Sequence, residues 1–292
     1  MGVQAFRYPY LGIYVNSFCL DAGETDILID SGLVSGRKHL APFAKKTTAL
    51  LCTHGHWDHI GNHRFLQEGG ALVYAHPGDL RYLQEHDWHW QVLFGQFEDD
   101  FDLPPARRTA FVEEIGAPVT PDRLLQDGEM LRFGGLTVEV IATPGHSDGS
   151  VCFLVRETGD LFTGDTLMGN GFFSGIPQYT DSLAYRLSME RLSSISAERI
   201  WCDHNDPLPG SALAEEAKQG IACCERLERH IRSFVGDYQG SPDLLLREAV
   251  KSVCAAENKN AGGGACVTVL THLKEMGEDE RLSEVIGKHI PL

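Results

Sequence analysis

The first two thirds of the chain are a series of short apolar or β-branched runs, each closed by turn residues. These runs predict strands over 10–19, 26–29, 49–52, 72–75, 136–141, 151–155 and 200–202. Asp21-Ala22-Gly23, Asp127-Gly128, Gly134-Gly135 and Thr158-Gly159-Asp160 supply the turns between them. Helical patterns over 62–68 and 183–195 complete a mixed α/β arrangement. Two segments break the pattern. From about Gly78 to Gly116 the chain is helix-like and aromatic-rich (Trp88, Trp90, Phe94, Phe97, Phe101), with an interruption at Pro104-Pro105. From about Ala212 onward the strand signals fade, and AEEAKQGIACCERLERHIRSF, PDLLLREAVKSVCAA and ACVTVLTHLKEM read as amphipathic helices. The expected organisation is an α/β domain over 1–210 with a helical insertion at about 78–117, followed by a helical extension over 211–292.

Composition narrows the partners. The 25 basic against 41 acidic residues leave a formal net charge of −16, which repels nucleic-acid phosphates and anionic membranes alike. No stretch approaches the ~20 consecutive apolar residues of a membrane span, and MGVQAFRYPYLG lacks the pattern of a signal peptide. The expectation is a cytoplasmic protein acting on a small molecule, with no nucleic-acid or membrane partner. Its eight cysteines form no Cys-x-x-Cys pair and read as reduced, buried thiols, the adjacent Cys223 and Cys224 included.

The chemistry concentrates in LCTHGHWDHIGNH, residues 51–63. Within it, His54-x-His56-x-Asp58-His59 follows a strand. Histidines separated by one residue point to the same side of an extended backbone. Asp58 and His59 follow as the chain turns, so imidazoles and a carboxylate converge from two directions. Imidazole suits zinc, iron, nickel or copper, and carboxylate suits harder ions. Taken alone, each later candidate has a bland reading as a cap, a turn residue or a buried histidine. Yet His146 in TPGHS, Asp165 in TGD and His204 in CDH repeat one theme: a metal-capable side chain just past a strand end. Strand ends along one sheet edge are where α/β architectures place sites.

In this order and spacing, His54-x-His56-x-Asp58-His59, His146, Asp165 and His204 resemble the metallo-β-lactamase superfamily. Asp30-Ser31-Gly32 is similar to that family's early Asp-Ser/Thr-Gly turn. The resemblance covers roughly residues 10 to 205. It implies an α/β fold, a four-layer αββα sandwich, here with a C-terminal helical appendage, and a binuclear site for two divalent metal ions. Zinc is the first expectation, with iron or manganese as alternatives. One metal would take His54, His56 and His146, and the other Asp58, His59 and His204. Asp165 would bridge them, and Asp30 would hold a ligand histidine from behind. Metal binding lowers the pKa of water toward about 7, so a bridging hydroxide would attack a carbonyl. Asp58 would orient it or carry a proton to the leaving group.

The fold does not name the substrate. The short stretch between Asp165 and His204 leaves no room for the extra domain of the family's nucleases. The flavodiiron branch is disfavoured by His56, where those proteins carry Glu, and by the lack of a flavodoxin-like domain. The helical tail favours the glyoxalase II-like thioesterase branch, although the basic cluster expected for glutathione is missing and the tail is long. A thioester or ester with a partly apolar acyl group is therefore the expected substrate. The alternatives are a lactone, an iron-dependent persulfide dioxygenase-like redox reaction, and a metabolite-sensing regulator. The aromatic segment 88–101 either lines a pocket or packs on the sandwich. Tyr179 is a candidate substrate contact. His63 is read as a non-ligand, His76 as a rim residue, and His86 and His89 as surface or packing residues. Gly145 and Gly164 are read as permitting tight turns beside the ligands, and the tail is a candidate homodimer surface.

Overall fold

A computed structural model of the protein describes residues 2–10, 13–98, 100–101, 105–168, 176–259, 263–277 and 280–290. Two six-stranded sheets pack face to face. The first runs in chain order through β1 (Val3–Tyr10), β2 (Ile13–Asp21), β3 (Asp26–Ile29), β4 (Thr47–Leu51), β5 (Leu72–Ala75) and β6 (Arg123–Leu124). The second has the order β12-β11-β10-β9-β8-β7. Its strands are β7 (Met130–Phe133), β8 (Leu136–Ala142), β9 (Val151–Val155), β10 (Asp160–Gly164), β11 (Arg199–Cys202) and β12 (Leu208–Pro209). Strands β3 to β6 are parallel, as are β10 and β11; the other pairs are antiparallel.

The two-residue period of a strand explains why the central runs are apolar throughout. Phe18, Leu20, Ile27, Ile29, Ala49 and Leu51 meet Val138, Val140, Val151, Phe153 and Phe162 of the second sheet. The residues between them, Cys19, Leu28 and Leu50, face the opposite way into a cluster of helices. On the second sheet Cys152, Leu154, Leu161 and Ile200 likewise face outward, under the helix Ser182–Ser193. Both faces of each sheet are covered, which gives the αββα sandwich. The strand missing from the sequence reading at the N-terminus, β1, carries polar residues and Pro9. It is an edge strand, where a missing N–H leaves no ladder bond unmade.

Helices α1 (Arg37–Leu40), α2 (Trp57–Ile60) and α3 (His63–Glu68) connect the first sheet. The helical insertion holds α4 (Leu80–Gln84), α5 (His86–Leu93) and α6 (Pro105–Glu114), and Pro104 lies outside the described residues. α7 (Ser182–Ser193) covers the second sheet. α8 (Leu213–Asp237), α9 (Leu245–Ala256), α10 (Gly263–Glu275) and α11 (Glu280–Gly287) form the tail. The tail has no core of its own. Leu227, Ile231, Val250, Val253, Val269 and Leu273 join one apolar cluster with Trp90, Phe94 and Phe97 of the insertion. α8 bridges two clusters: Cys223 lies in the cluster under the first sheet and Cys224 in that under the second. The adjacent pair is thus divided between two faces, and all eight cysteines are free and buried. No described helix is long and apolar enough to cross a membrane.

Candidate metal centre

All seven predicted ligands sit at or just beyond the C-terminal ends of β4, β8, β10 and β11, and all are buried. Two glycines let the chain turn there. Gly145 has φ +133°, and a Cβ on it would lie 2.4 Å from Tyr185 Cα. Gly164 has φ +49°, with Thr53 Oγ1 2.5 Å from the same position. A side chain at either would push a ligand loop off its neighbour.

The side chains gather as two sets, His54, His56 and His146, then Asp58, His59 and His204, each with donor atoms within 4.8 Å of one another. Asp165 Oδ2 stands between them. It lies 3.9 Å from His54 Nε2 and 3.7 Å from His146 Nε2 in the first set. In the second set it lies 3.6 Å from His59 Nε2 and 3.2 Å from His204 Nε2. Asp58 spans the second set, with Oδ1 3.7 Å from His59 Nε2 and Oδ2 3.7 Å from His204 Nε2.

The outer hydrogen bonds fix which nitrogen faces inward. His146 Nδ1 donates to the Gln178 carbonyl at 2.8 Å, and His204 Nδ1 donates to the Tyr14 carbonyl at 2.7 Å. Thr53 Oγ1 gives its proton to Asp30 Oδ2 at 2.5 Å, so it accepts from His54 Nδ1 at 3.1 Å. His59 Nδ1 faces two carboxylates, Asp203 Oδ2 at 2.8 Å and Asp30 Oδ2 at 3.2 Å. Each of these four imidazoles therefore turns its Nε2 toward the centre. His56 uses the other atom: its Nδ1 lies 2.8 Å from His146 Nε2.

This donor chemistry fits divalent metal ions. His54 Nε2, His59 Nε2 and Asp165 Oδ1 are buried with no hydrogen-bond partner, an arrangement that costs stability unless a cation satisfies it. Burial holds the pKa values of His54 and His56 well below the usual imidazole range, keeping them neutral as ligands must be. Burial also opposes the Asp165 carboxylate, but the imidazoles of His204 and His59 outweigh it and hold its pKa well below the ordinary value. For His59 burial is overcome by Asp165 and Asp58, which raise its pKa well above the ordinary value. A pocket this rich in carboxylate calls for positive charge.

A family profile for the metallo-beta-lactamase superfamily matches residues 11–204. The chain belongs to the metallo-β-lactamase superfamily. It is 26% identical over 202 residues to "Acyl-coenzyme A thioesterase MBLAC2" of Gallus gallus, an alignment covering 65% of this chain and 70% of that protein. It is 31% identical over 170 residues to a hydroxyacylglutathione hydrolase of Thermosynechococcus vestitus, covering 56% of this chain and 52% of that one. That match thus spans about half the relative's length. A metallo-beta-lactamase family protein from Thermus thermophilus superposes with TM-score 0.73 at 23% identity, covering 94% of each chain, and shares the fold. TTHA1623, solved in a di-iron-bound form, is 29% identical with TM-score 0.54 over 72% of this chain and 98% of that one.

The structure also places the remaining residues singled out in the sequence. Asp30, at φ +52°, accepts from Thr53 N (2.8 Å) and Thr53 Oγ1, and its Oδ2 also meets Nδ1 of a candidate ligand histidine, His59, at 3.2 Å. The nearer carboxylate on His59 is Asp203, which the sequence reading passed over although it adjoins His204. Tyr179 is a correction. Its side chain is fully buried, its hydroxyl is taken by His272 Nε2 at 2.8 Å, and its ring stacks on Tyr185, so it offers nothing to a substrate. His63 is a non-ligand of both sets: its Nδ1 meets Ser31 Oγ at 2.8 Å and ties the Asp30-Ser31-Gly32 turn to α3. His76 accepts from Gly78 N and caps a turn. His89 is fully buried, with its ring 6.0 Å from that of His56.

Asp79 carries a role no motif announced. Its Oδ2 accepts from Gly55 N (2.7 Å) and Ser147 Oγ (2.7 Å), and its Oδ1 from Gly149 N (2.8 Å). Gly55 separates His54 from His56, and Ser147 follows His146. One buried carboxylate thereby clips together the two loops that supply one ligand set. Burial outweighs these three donors and pushes its pKa up to about 6. A sequence clue existed only in the short spacing from His76-Pro77 to an acidic residue at a helix start.

Proposed function

We propose that the protein is a metal-dependent hydrolase that cleaves a thioester or ester with a partly apolar acyl group. The observation that carries this reading is the pair of buried donor sets joined at Asp165 Oδ2. Held by these residues, divalent ions would supply an activated water at neutral pH and an electropositive seat for a carbonyl oxygen. Asp58 is the residue placed to orient that water and to pass a proton to the departing thiolate or alkoxide. The buried surround, with Cys52, Thr53, Thr143 and Thr163 all shielded, keeps the polar centre out of bulk solvent. Nearby thiols are poor nucleophiles: burial pushes Cys152 up to about 11 and Cys202 up to about 12. Attack by water is therefore favoured over a covalent acyl-enzyme.

The names of the Gallus gallus thioesterase and the Thermosynechococcus vestitus hydrolase support a thioester as the first substrate class. Zinc is the proposed metal, and the di-iron form of TTHA1623 gives specific support to iron as the alternative. A panel of acyl thioesters and esters of graded chain length, turned over by metal-loaded protein, tests the proposal. The expected result is hydrolysis that falls at least ~100-fold in Asp58→Ala with the fold retained by circular dichroism. No hydrolysis of any panel member at high enzyme concentration would count against it.

A further inference from the structure

The helix α10 carries an unusual stripe. Thr268, Thr271, His272 and Glu275 recur at the i, i+3, i+4, i+7 spacing of a single helix face. Such a polar face ordinarily meets water. Here Thr268, Thr271 and His272 are buried, and the apolar residues Val267, Val269, Leu270 and Leu273 of the same helix are buried as well. A helix buried all round needs a partner for every polar group.

That partner is the segment 177–182. Thr268 Oγ1 donates to the Pro177 carbonyl at 2.7 Å and accepts from Tyr179 N at 3.4 Å. Thr271 Oγ1 shares its proton between the Tyr179 carbonyl at 3.0 Å and its own helix's Val267 carbonyl at 2.9 Å. His272 Nε2 meets the Tyr179 hydroxyl at 2.8 Å. Glu275 accepts from Ser182 N at 2.9 Å and Ser182 Oγ at 2.7 Å. In the middle of this segment the Gln178 carbonyl receives His146 Nδ1, and Thr180 N donates to the Gly145 carbonyl at 2.7 Å. The same few residues are thus gripped on one side by the tail and grip a ligand histidine on the other.

We infer that α10 is part of the metal centre, its buried Thr268–Thr271–His272 stripe holding the Gln178 carbonyl where it orients His146 toward the metal. Thr268, Thr271 and His272 are positioning residues that touch neither metal nor substrate. Apolar packing alone would hold the helix against the sandwich without fixing its register. Directional hydrogen bonds fix both the register and the carbonyl. The tail, which shares no sequence signal with the ligand motifs, would therefore decide how well one of the two metals is held. The inference rests on the reading of His54, His56 and His146 as one metal's ligands.

Metal titration tests it, with Zn²⁺ added to stripped protein in competition with a chromophoric chelator, and with Co²⁺ absorption spectra read in parallel. Thr268→Val with Thr271→Val keeps the side-chain shape and removes both hydroxyls. Outer partners of metal ligands are worth roughly 10- to 100-fold in affinity. The expected result is a loss of at least tenfold at one of two sites and an altered Co²⁺ spectrum. The paired Thr268→Ser and Thr271→Ser variant, which retains the hydroxyls, is expected to stay within threefold of wild type. Val253→Ala, a packing change on α9, serves as the control for general loosening of the tail and is expected to leave both sites intact. If the valine pair keeps both affinities, or if the serine pair or Val253→Ala loses as much as it does, the inference is overturned. Should the valine pair not fold, Tyr179→Phe, which removes the hydroxyl that meets His272, is judged by the same criteria with a threefold threshold. A wild type that binds no divalent ion would instead overturn the metal reading itself.

Discussion

Removing Asp79 tests whether the two ligand loops are held by one carboxylate. Asp79→Ala leaves Gly55 N, Gly149 N and Ser147 Oγ without their acceptor in a buried setting. Orphaned buried donors cost ~1–3 kcal/mol each, so the three together are worth about 6 kcal/mol. Against this stands a relief. Burial raises the carboxyl from 3.8 to about 6, so keeping it ionised at neutral pH already costs the native state about 3 kcal/mol. The net prediction is a destabilisation of about 3 kcal/mol at pH 8, read by urea unfolding of metal-free protein. The pH dependence follows from the sign. A native pKa above the unfolded one stabilises the fold most below the unfolded value, and this contribution is lost as pH rises through about 6. The deficit of Asp79→Ala against wild type should therefore grow to about 4 kcal/mol at pH 5. A deficit that shrinks toward acid would show that the three donors outweigh burial. A loss below about 0.5 kcal/mol at any pH would refute the clip altogether.

Two further outcomes probe the centre and its scaffold. Asp203→Asn weakens the nearest anchor of His59 Nδ1; metal affinity of the Asp58, His59 and His204 set should drop roughly 10- to 100-fold, with the other set unchanged in a calorimetric titration. Gly145→Ala forces a Cβ to 2.4 Å from Tyr185 Cα at φ +133°, which should cost more than ~2 kcal/mol; thermal unfolding indistinguishable from wild type would contradict the close approach.

The central strands were legible because burial on both faces leaves an unbroken apolar signature: 26–29, 72–75 and 151–155 were placed to the residue. Strand β1 was missed because an edge strand with one solvated side tolerates Arg7 and Pro9. The clustered donors were legible because metal chemistry restricts residue type and strand ends restrict position, so His54 to His59 stand out locally as candidate ligands. Asp79 and Asp203 were not: an aspartate that accepts from backbone N–H groups, as Asp79 does, looks like any turn aspartate until the partner loop is in place, and Asp203 meets His59 Nδ1 only across 144 residues of chain. Tyr179 misled for the complementary reason. Its position after Asp165 suggested a loop facing substrate, whereas the long-range contact with His272 decides where its hydroxyl goes. In the tail the apolar periodicity is visible in the sequence, whereas the buried polar stripe carries meaning only against residues 177–182.

The most direct measurement is the rate of thiol release from an acyl thioester as Zn²⁺ or Fe²⁺ is titrated into stripped protein, with bound metal counted by elemental analysis of the same samples. The two donor sets predict that activity rises with bound metal, saturates at two ions per chain, and stays at least ~100-fold lower at every occupancy in Asp58→Ala. Thiol release that is independent of metal, or none at full occupancy on any thioester or ester, would contradict a metal-dependent hydrolase built on these residues.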